Sequence, residues 1–469
     1  RHGVAMNAVL RRFAGRRSDW HLNAPSFRLP RPHLGWLGPV AMVASVLVSW
    51  FAFSNAQGED GNVQLGLFVG AASILLMAWS FVLAVRIRLL EPIFGGLDSM
   101  YRVHRWAGSI ATVLMFWHVQ VEPEVENGIR GASKSVADQA EDLAGTGEIM
   151  MYILIGLSLI RWVPYRWWRL THKLLGIPFA FASWHFFTAE KPYANGSTWG
   201  IWFGGFMLAG LGAFLWRIVV RDVVMPGHRY TVTSMENVGS VTTLELTPKR
   251  RALPHGAGQF AFIKVQHPGL REPHAFTIAS SPDSPTLRFV IRELGDWTRA
   301  LRQVDLVGQD VTVEGPYGTF EPMGSPRQQT VWVAGGVGIT PFLSAIDAAA
   351  QQPVAAPHLF YAVRSTVDSP IVDRLLAADA DGRIVLHLFA SSDGQRLTGD
   401  ELERVFGTNG LRGAHIGLCG PTSLVNAMDA ASRQLGASSI HREDFDLRQG
   451  FGPDLSIEIA DLVSSVRKR

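Results

Sequence analysis

Residues 105–120, RWAGSIATVLMFWHVQ, are apolar enough to lie in a lipid bilayer, yet a histidine stands near each end of this stretch. His104 precedes it, and His118 follows 14 positions further along the chain. A second apolar stretch, HKLLGIPFAFASWH, begins with His172 and ends with His185, 13 positions later. Ionisable side chains are rare in membrane helices and usually have a function there. Both stretches therefore combine the pattern of a membrane helix with side chains that such a helix normally lacks.

The composition divides the chain into a membrane half and a soluble half. Over the 469 residues, 47% are hydrophobic and 18% are charged, but the long apolar runs end near residue 220. About 20 apolar residues suffice to cross a bilayer. The predicted membrane helices lie at 36–55, 65–87, 104–121, 148–164, 171–188 and 199–220. No cleavable signal peptide is expected, because the first apolar run begins late and is long.

The distribution of charge predicts the orientation. Arginines are frequent in residues 1–35 and after the second and fourth apolar stretches, whereas residues 122–148 are rich in Asp and Glu. Because positively charged loops stay in the cytoplasm, the N-terminus and the soluble half are predicted to be cytoplasmic. The same arginines explain the pI near 9.1 without nucleic-acid binding. The single cysteine, Cys419, excludes an intrachain disulfide and a cysteine metal cluster.

The four histidines of the two stretches lie at two depths. At about 1.5 Å per residue, each pair is separated by about 20 Å along its helix. The two helices run in the same direction, so His104 and His172 share the inner level, and His118 and His185 share the outer level. Imidazole is an axial haem ligand, which predicts two stacked haems; hydrogen-bonded histidines at the membrane interface are the alternative. Since 13 residues do not return to the same helix face, a bend at Pro178 is expected.

The soluble half predicts a small barrel followed by an α/β domain. Short strand-like segments with Gly- and Pro-rich turns between residues 229 and 320 are typical of an antiparallel β-barrel. The segment TVWVAGGVGITPFLSAIDAAA (330–350) indicates a strand, a Gly-rich turn and a helix, which together favour phosphate binding. HLFYAVRST (358–366) and HIGLCGPTSLVNAM (415–428) repeat this order and predict a parallel sheet with a nucleotide site at its strand ends. The G-x-G-x-x-G pattern is absent, so a tight connection is the alternative for the Gly-rich turn.

Six motifs of the soluble half resemble, in this order, the FAD and NADPH domains of the ferredoxin–NADP reductase superfamily. They are GQFAFIKV (258–265), HAFTIASSP (274–282), FVIRELGDWT (289–298), EGPYGTF (314–320), VAGGVGITPF (333–342) and LCGP (418–421). Together with the four-histidine helices they resemble the NADPH oxidase and ferric reductase family, in a compact prokaryotic form, over residues 64–446.

The resemblance implies a six-helix transmembrane haem bundle, then an antiparallel β-barrel FAD domain and an α/β parallel-sheet NADPH domain. The implied division is a cytoplasmic basic N-terminal segment (1–35), a bis-haem domain (36–222), an FAD-binding domain (226–326), an NADPH-binding domain (327–446) and a C-terminal tail (447–469). The tail departs from the family, whose members end near the aromatic residue that Phe445 matches. An aromatic residue commonly lies between the two haems of this family, and Phe179 is the candidate here.

The resemblance also assigns cofactor contacts residue by residue. FAD would be held by His274, Ala275, Phe276, Thr277, Ile291, Arg292, Trp297 and Thr298. NADPH would be held by Gly335, Gly336, Gly338, Thr340, Pro341, Cys419, Gly420 and Pro421. Arg364, assisted by Arg396, would meet the adenosine 2′-phosphate. Thr277, Cys419 and Phe445 would adjoin the reacting rings, with Phe445 of HREDFDL against the flavin; for Cys419, a small buried residue is the alternative.

The implied function is electron transfer from NADPH through FAD and two b-type haems to an acceptor outside the membrane. A flavin exchanges both a hydride and single electrons, so it belongs between NADPH and haem. O2, giving superoxide, is the acceptor expected first. A ferric chelate, a quinone or an extracytoplasmic partner protein stays open, as does a haem protein with a degenerate reductase domain. The expected location is a bacterial inner membrane.

Overall fold

The computed structural model describes residues 34–54, 61–121, 123, 125, 128–160, 165–221, 227–325, 328–349, 355–367 and 369–443. Nearly all of the basic N-terminal segment, Phe445 and the tail beyond it lie outside the described residues. The predictions made for them therefore stay predictions.

The first half of the described chain is helical, as its succession of apolar runs predicts. Its helices are α1 (Leu37–Val48), α2 (Phe51–Ser54), α3 (Gly61–Ala84), α4 (Glu91–Phe94), α5 (Leu97–Val121), α6 (Lys134–Leu159), α7 (Tyr165–Lys173), α8 (Gly176–Thr188) and α9 (Thr198–Leu215), which continues as a π-helix to Val220. A two-stranded ribbon, β1 (Ile129–Arg130) with β2 (Glu190–Lys191), links two connections of this bundle. Every predicted membrane segment overlaps a helix.

Three helical stretches in the described ranges are long and apolar enough to cross a bilayer, namely Leu37–Ser54, Gly61–Ala84 and Thr198–Val219. They support an integral membrane protein, while the count of six spans stays a prediction. Helix α3 lies inside the bundle, where Leu75, Ala78 and Leu83 are fully buried, and it packs against α5 and α9. Small residues along α3 allow the close approach that membrane helices use for packing.

The fifth predicted membrane segment is broken in two. Helix α7 ends at Lys173, Leu174 and Leu175 form a turn, and α8 begins at Gly176. Pro178 lies in the first turn of α8, where its missing N–H interrupts no helical hydrogen bond. The bend expected from the 13-residue spacing is present, and it lies just before Pro178.

An antiparallel sheet follows the bundle, with strand order β6-β5-β8-β3-β4-β7. Its strands are β3 (His228–Val238), β4 (Val241–Pro248), β5 (Phe260–Val265), β6 (His274–Thr277), β7 (Leu287–Arg292) and β8 (Asp310–Tyr317), and helix α10 (Asp296–Arg302) lies between β7 and β8. A bridge between Ile278 and Phe289 connects the edge regions of this sheet. We call this curved sheet, which surrounds its own apolar core, the half-barrel.

The last part of the described chain forms a parallel sheet with strand order β11-β10-β9-β12-β13. Its elements are β9 (Thr330–Gly335), α11 (Thr340–Ala349), β10 (His358–Val363), α12 (Pro370–Ala380), β11 (Val385–Ala390), α13 (Gly399–Phe406), β12 (His415–Cys419), α14 (Thr422–Gln434) and β13 (Ser439–Glu443). Strands β9 and β12 are buried along their whole length, as central parallel strands are. An antiparallel sheet followed by a parallel α/β sheet, as predicted for the soluble half, is thereby confirmed, although the first sheet is a half-barrel and not the predicted barrel.

The bundle and the half-barrel meet in a mixed contact that we call the junction. Its apolar part contains Leu83, Phe94, Leu97, Met100, Phe260, Phe262 and Tyr317. In its polar part, Glu314 of β8 forms ion pairs with Arg86 and Arg221 of the bundle, and the Tyr317 hydroxyl donates to it over 2.7 Å. Burial alone would raise the pKa of Glu314, but the two arginines and Tyr317 outweigh burial and hold this pKa below its usual value. Glu314 is therefore the anion that both parts of the protein share.

A second polar contact of the junction involves Glu91 of α4. One carboxylate oxygen of Glu91 accepts a hydrogen bond of 2.9 Å from the Gly318 N–H, in the segment after β8. Glu91 is only 5% exposed. Burial raises its pKa from 4.5 to about 7, against the opposing effect of the hydrogen bond.

Candidate functional site

The structure brings the four predicted haem histidines together in two pairs. The ring centroids of His104 and His172 are 6.0 Å apart, with ring planes at 70°. His118 and His185, on the side of the bundle away from the half-barrel, are close enough to interact electrostatically. Imidazole is an axial haem ligand, so His104 and His172 would together hold one haem iron.

Backbone carbonyls determine which ring nitrogen of two histidines can bind a metal. Nδ1 of His104 lies 2.9 Å from the Ser80 carbonyl oxygen, and Nδ1 of His118 lies 2.9 Å from the Gly66 carbonyl oxygen. A carbonyl oxygen only accepts, so Nδ1 carries the proton in each ring. The lone pair then lies on Nε2, the arrangement found when a second group orients a metal-binding histidine.

A serine gives His172 the same tautomer. The Ser158 hydroxyl donates to the Leu154 carbonyl over 2.7 Å and lies 3.2 Å from Nδ1 of His172. Because its one proton is already donated, the hydroxyl accepts from His172. Nδ1 of His185 is buried and makes no hydrogen bond within the described ranges. The tautomers of His104, His118 and His172, each with the Nε2 lone pair available to a metal, fit imidazole ligation of haem.

Helix α3 makes room for one of these rings through a glycine. A Cβ atom at Gly70 would lie 2.6 Å from Nδ1 of His118, closer than van der Waals contact allows.

Phe179, the aromatic residue expected between the haems, is fully buried. Its ring packs against that of Phe81, with centroids 4.9 Å apart.

Strand β6 borders a pocket of about 240 Å³ between the bundle and the half-barrel. The predicted residues Ala275, Phe276 and Thr277 line it, and Oγ1 of Thr277 is buried without a hydrogen-bond partner in the described part of the chain. This hydroxyl and the aromatic wall fit a flavin. Sequence reasoning missed the remaining walls, which are Gly95, Asp98, Arg102, Phe260, Gly318, Thr319, Phe320, Ile440, His441, Arg442 and Glu443.

The other residues predicted to bind FAD surround α10. The rings of His274 and Trp297 pack at 32° to each other, with centroids 4.5 Å apart. Nε1 of Trp297 is buried without a hydrogen-bond partner among the described residues. The Thr298 hydroxyl accepts from the N–H groups of Leu294 and Gly295, each over 2.9 Å, so it shapes the turn before α10. The Ile291 side chain packs in the half-barrel core, so it contributes to the fold of strand β7.

The predicted nucleotide residues meet at one edge of the parallel sheet, where the carboxyl ends of its strands lie. A Cβ atom at Gly338 would lie 2.4 Å from the Cys419 carbonyl oxygen, and one at Gly335 would lie 2.7 Å from Pro421. Only glycine allows the two loops to pack so closely. Such strand ends are where open α/β sheets bind nucleotides. A Cβ atom at Gly336 would lie 3.9 Å from Nη1 of Arg292, so the flavin-side arginine adjoins this edge.

The arginines proposed for the 2′-phosphate lie at the same edge and are exposed. Arg364 follows β10, and its carbonyl accepts from the Ser392 N–H over 2.8 Å, which brings the loop that carries Arg396 against it. The Thr340 hydroxyl donates to the Val337 carbonyl over 3.0 Å and so holds the Gly-rich turn. The Cys419 side chain is fully buried in the core. This is the position expected if Cys419 is a small buried residue that does not contact the nicotinamide.

Sequence reasoning missed a cation beside the far pair of histidines. Lys191 of β2 is 4% exposed, and its Nζ donates to the carbonyls of Phe186 and Ala189 over 2.7 and 3.3 Å. It is close enough to influence His185 electrostatically. Burial lowers the pKa of Lys191 to about 8. No sequence signal distinguishes it from a solvent-exposed loop lysine.

Comparison with protein families matches three segments in chain order. Residues 69–183 match the ferric reductase like transmembrane component, residues 228–321 an FAD-binding domain, and residues 332–430 the oxidoreductase NAD-binding domain. These segments lie in the bundle, the half-barrel and the parallel sheet.

Individual relatives match parts of the chain. The 2-halobenzoate 1,2-dioxygenase electron transfer component of Burkholderia cepacia is 27% identical over 224 residues, which cover 44% of this chain and 64% of that protein. NADPH oxidase 1 of Rattus norvegicus is 33% identical over 105 residues, which cover 22% of this chain and 19% of that protein. The chain thus spans less than two thirds of either relative. The solved flavohem-like FAD/NAD-binding domain of nitric oxide dioxygenase from Vibrio cholerae O1 biovar El Tor aligns with 48% of this chain and 99% of that chain, at 21% identity and a TM-score of 0.42.

The family matches agree with the geometry of each part. They indicate FAD- and NAD(P)H-binding domains where the pocket beside β6 and the glycine-lined strand ends lie, and a membrane domain where the histidine pairs lie. The chain accordingly joins a segment that matches a ferric reductase like transmembrane component to an FAD-binding domain and an oxidoreductase NAD-binding domain, which is the domain set of a membrane-bound oxidoreductase that transfers electrons.

Proposed function

We propose that this protein transfers electrons from cytoplasmic NADPH across the membrane to O2 on the outer face, which yields superoxide. Helix α5 carries the proposal. Asp98 and Arg102 of this helix line the flavin-sized pocket, His104 follows two residues later, and His118 lies near its other end. One continuous helix therefore connects the flavin pocket to both histidine levels.

The chain has a candidate binding site for each cofactor that this function needs. His104 and His172 would bind the inner haem, and His118 and His185 would bind the outer haem. Strand β6 would bind FAD, and the glycine-lined edge of the parallel sheet would bind NADPH. These groups together convert a two-electron hydride into single electrons. The residues of the chain contribute position: Ser80, Gly66 and Ser158 orient the imidazoles. The predicted domain boundaries at 36–222, 226–326 and 327–446 belong to this proposal.

Lys191 favours O2 over a ferric chelate as the acceptor. A fixed cation near the site where O2 takes up an electron stabilises the anion that forms. At 4% exposed and with two carbonyl partners, Lys191 offers almost no contact surface to a bulky anionic chelate. O2 is small and neutral and needs no direct contact with Lys191, because the positive charge of the buried ammonium group is enough to stabilise the superoxide anion that forms.

Purified protein loaded with haem and FAD tests the proposal by acceptor-resolved NADPH consumption. We expect aerobic NADPH consumption to be matched by superoxide that superoxide dismutase removes, and anaerobic reduction of ferric chelates to be slow. Fast anaerobic chelate reduction with little superoxide would make the protein a ferric reductase. Turnover that begins only on addition of a quinone or a partner protein would make it an electron-delivery subunit. Flavin reduction without haem reduction would reject transmembrane electron transfer.

The pH dependence of superoxide production tests the role of Lys191. Its ammonium group loses the charge as pH rises through about 8, so the rate should fall over that range in the unmodified protein. Lys191→Met should be slower at neutral pH and should lack this fall. The exposed Lys134, at the start of α6, provides the matched control Lys134→Met. A Lys191→Met variant with an unchanged pH profile would remove the argument for O2.

A further inference from the structure

A second cavity, of about 380 Å³, opens beside the junction and shares no lining residue with the flavin pocket. Arg169 of α7 and the end of the last bundle helix form one wall, and strands β3, β5 and β8 with the loop before β6 form the other. We call it the basic cleft, after its cationic lining residues Arg169, Arg217, Arg221, Arg229, Lys264 and Arg271.

The two carboxylates that line the basic cleft are already paired. Asp310 lies 2.5 Å from Lys249, and Glu314 forms ion pairs with Arg86 and Arg221. The other five lining cations form no ion pair within the part of the chain that the structure describes. The cleft therefore has a large positive excess that the protein itself leaves unneutralised there.

The position of Arg217 makes this excess costly. Arg217 is half-buried and is repelled by Arg86 and Arg221, while Glu314 attracts it. Like charges in a partly desolvated site repel more strongly than in water. A bound anion would relieve the repulsion and would also reach the guanidinium groups of the strand side.

The chemistry of the lining selects phosphate among anions. Guanidinium groups match phosphate oxygens in geometry and form charge-assisted, often paired hydrogen bonds with them. Gln266 and Thr312 add neutral hydrogen-bonding groups to the same cavity. Arg217 and Arg221 lie at the end of an apolar helix that is long enough to cross a bilayer, where anionic lipid headgroups attract basic side chains.

We propose that the basic cleft binds a phosphate-bearing anion, supplied either by an anionic phospholipid headgroup or by a soluble phosphate compound, and that this anion stabilises the junction. The binding concerns neither the electron acceptor nor the haem sites, so its test is independent of the proposed function.

The test compares thermal unfolding of the holoprotein in nanodiscs of phosphatidylcholine and of phosphatidylcholine with phosphatidylglycerol. We expect the anionic lipid to raise the unfolding temperature. If the natural source is soluble, inorganic pyrophosphate in neutral nanodiscs should produce the same shift. The double variant Arg229→Gln/Arg271→Gln changes two exposed residues. It should fold normally and raise the half-maximal concentration of the effective probe by about a hundredfold or more, as loss of two charge-assisted hydrogen bonds implies.

Arg217→Gln should reduce the shift in unfolding temperature that the effective probe causes, and should reduce it more than the double variant does. Arg404→Gln, an exposed arginine of α13 in the parallel sheet domain, is the control and should respond as the unmodified protein does. The proposal is wrong if neither probe shifts the unfolding temperature, if the double variant keeps the full shift, or if sodium sulfate at equal ionic strength reproduces it. Loss of bound FAD from the double variant would also overturn it, because the cleft would then serve the FAD phosphates.

Discussion

At the scale of single residues, the absence of one methyl group at Gly70 decides where a haem histidine can lie. In Gly70→Ala the new Cβ atom would lie 2.6 Å from Nδ1 of His118, so the ring must move and lose its bond to the Gly66 carbonyl. We expect about half of the haem to be lost, as in His118→Ala or His185→Ala, measured by pyridine haemochrome assay. NADPH should still reduce the flavin.

Gly61 of the same helix supplies the control, because a Cβ atom there would meet no heavy atom within 4 Å. Gly61→Ala should keep full haem content. If Gly70→Ala also binds the full amount of haem with an unchanged spectrum, His118 is not an axial ligand.

Arg364 should determine the preference for NADPH over NADH. Its guanidinium is exposed at the carboxyl end of β10, and only NADPH carries the additional phosphate. Arg364→Ala should raise the KM for NADPH about tenfold or more, since charge-assisted hydrogen bonds contribute about 1.5–3 kcal/mol, and should hardly change the KM for NADH. Steady-state flavin reduction measures both, with Arg404→Ala as the control. Equal use of both nucleotides by the unmodified protein would contradict this role.

At the scale of elements, the contact between α4 and the segment after β8 should respond to pH. The pKa of Glu91 is about 7 in the folded protein, against 4.5 when exposed, so between these values the folded state holds more protons. The free energy of unfolding therefore falls as pH rises from about 4.5 to 7, by about 3 kcal/mol from this group. Glu91→Gln keeps an oxygen for the Gly318 N–H without a charge. It should lack this dependence and unfold at a higher temperature than the unmodified protein above pH 7.

Thermal unfolding of both proteins between pH 5 and 8 measures the difference, with the exposed Glu236→Gln as the control. Parallel unfolding profiles for Glu91→Gln and the unmodified protein would show that the Glu91 carboxylate is not buried in the way described.

The positions of elements could be predicted from the sequence, because they depend on local patterns. Short strand-like segments predicted an antiparallel sheet between residues 229 and 320, and the structure has strands β3 to β8 from His228 to Tyr317. A spacing of 13 predicted a bend at Pro178, and the helix breaks just before that residue. The walls of the sites could not be predicted, because distant segments form them. Nothing near Ser80 in the chain indicates that its carbonyl orients His104, and nothing near Arg102 indicates that it lines the flavin pocket.

At the scale of the whole molecule, Glu314 couples the bundle to the reductase module. Glu314→Gln would leave Arg86 and Arg221 without their shared anion. Breaking a buried pair costs about 3–5 kcal/mol, and we expect about 2 kcal/mol here, because the Glu314 side chain is 24% exposed. Stopped-flow spectroscopy should show normal flavin reduction by NADPH and slower haem reduction.

The half-barrel contains a matched pair for comparison, Glu245 with Arg288, 2.8 Å apart and away from the junction. Glu245→Gln should leave both phases of the stopped-flow reaction unchanged. Equal slowing of haem reduction by the two variants would mean that the effect is general loss of stability.

The junction also limits which reductase modules evolution or engineering can transplant onto this membrane domain. A donor module that lacks an acid at the position of Glu314 would leave two arginines uncompensated, and one without the aromatic face of Phe260, Phe262 and Tyr317 would expose the ends of α3 and α5 to water. Chimaeras built from soluble reductases should therefore assemble only after these four positions are grafted as a set, even when their catalytic motifs are intact.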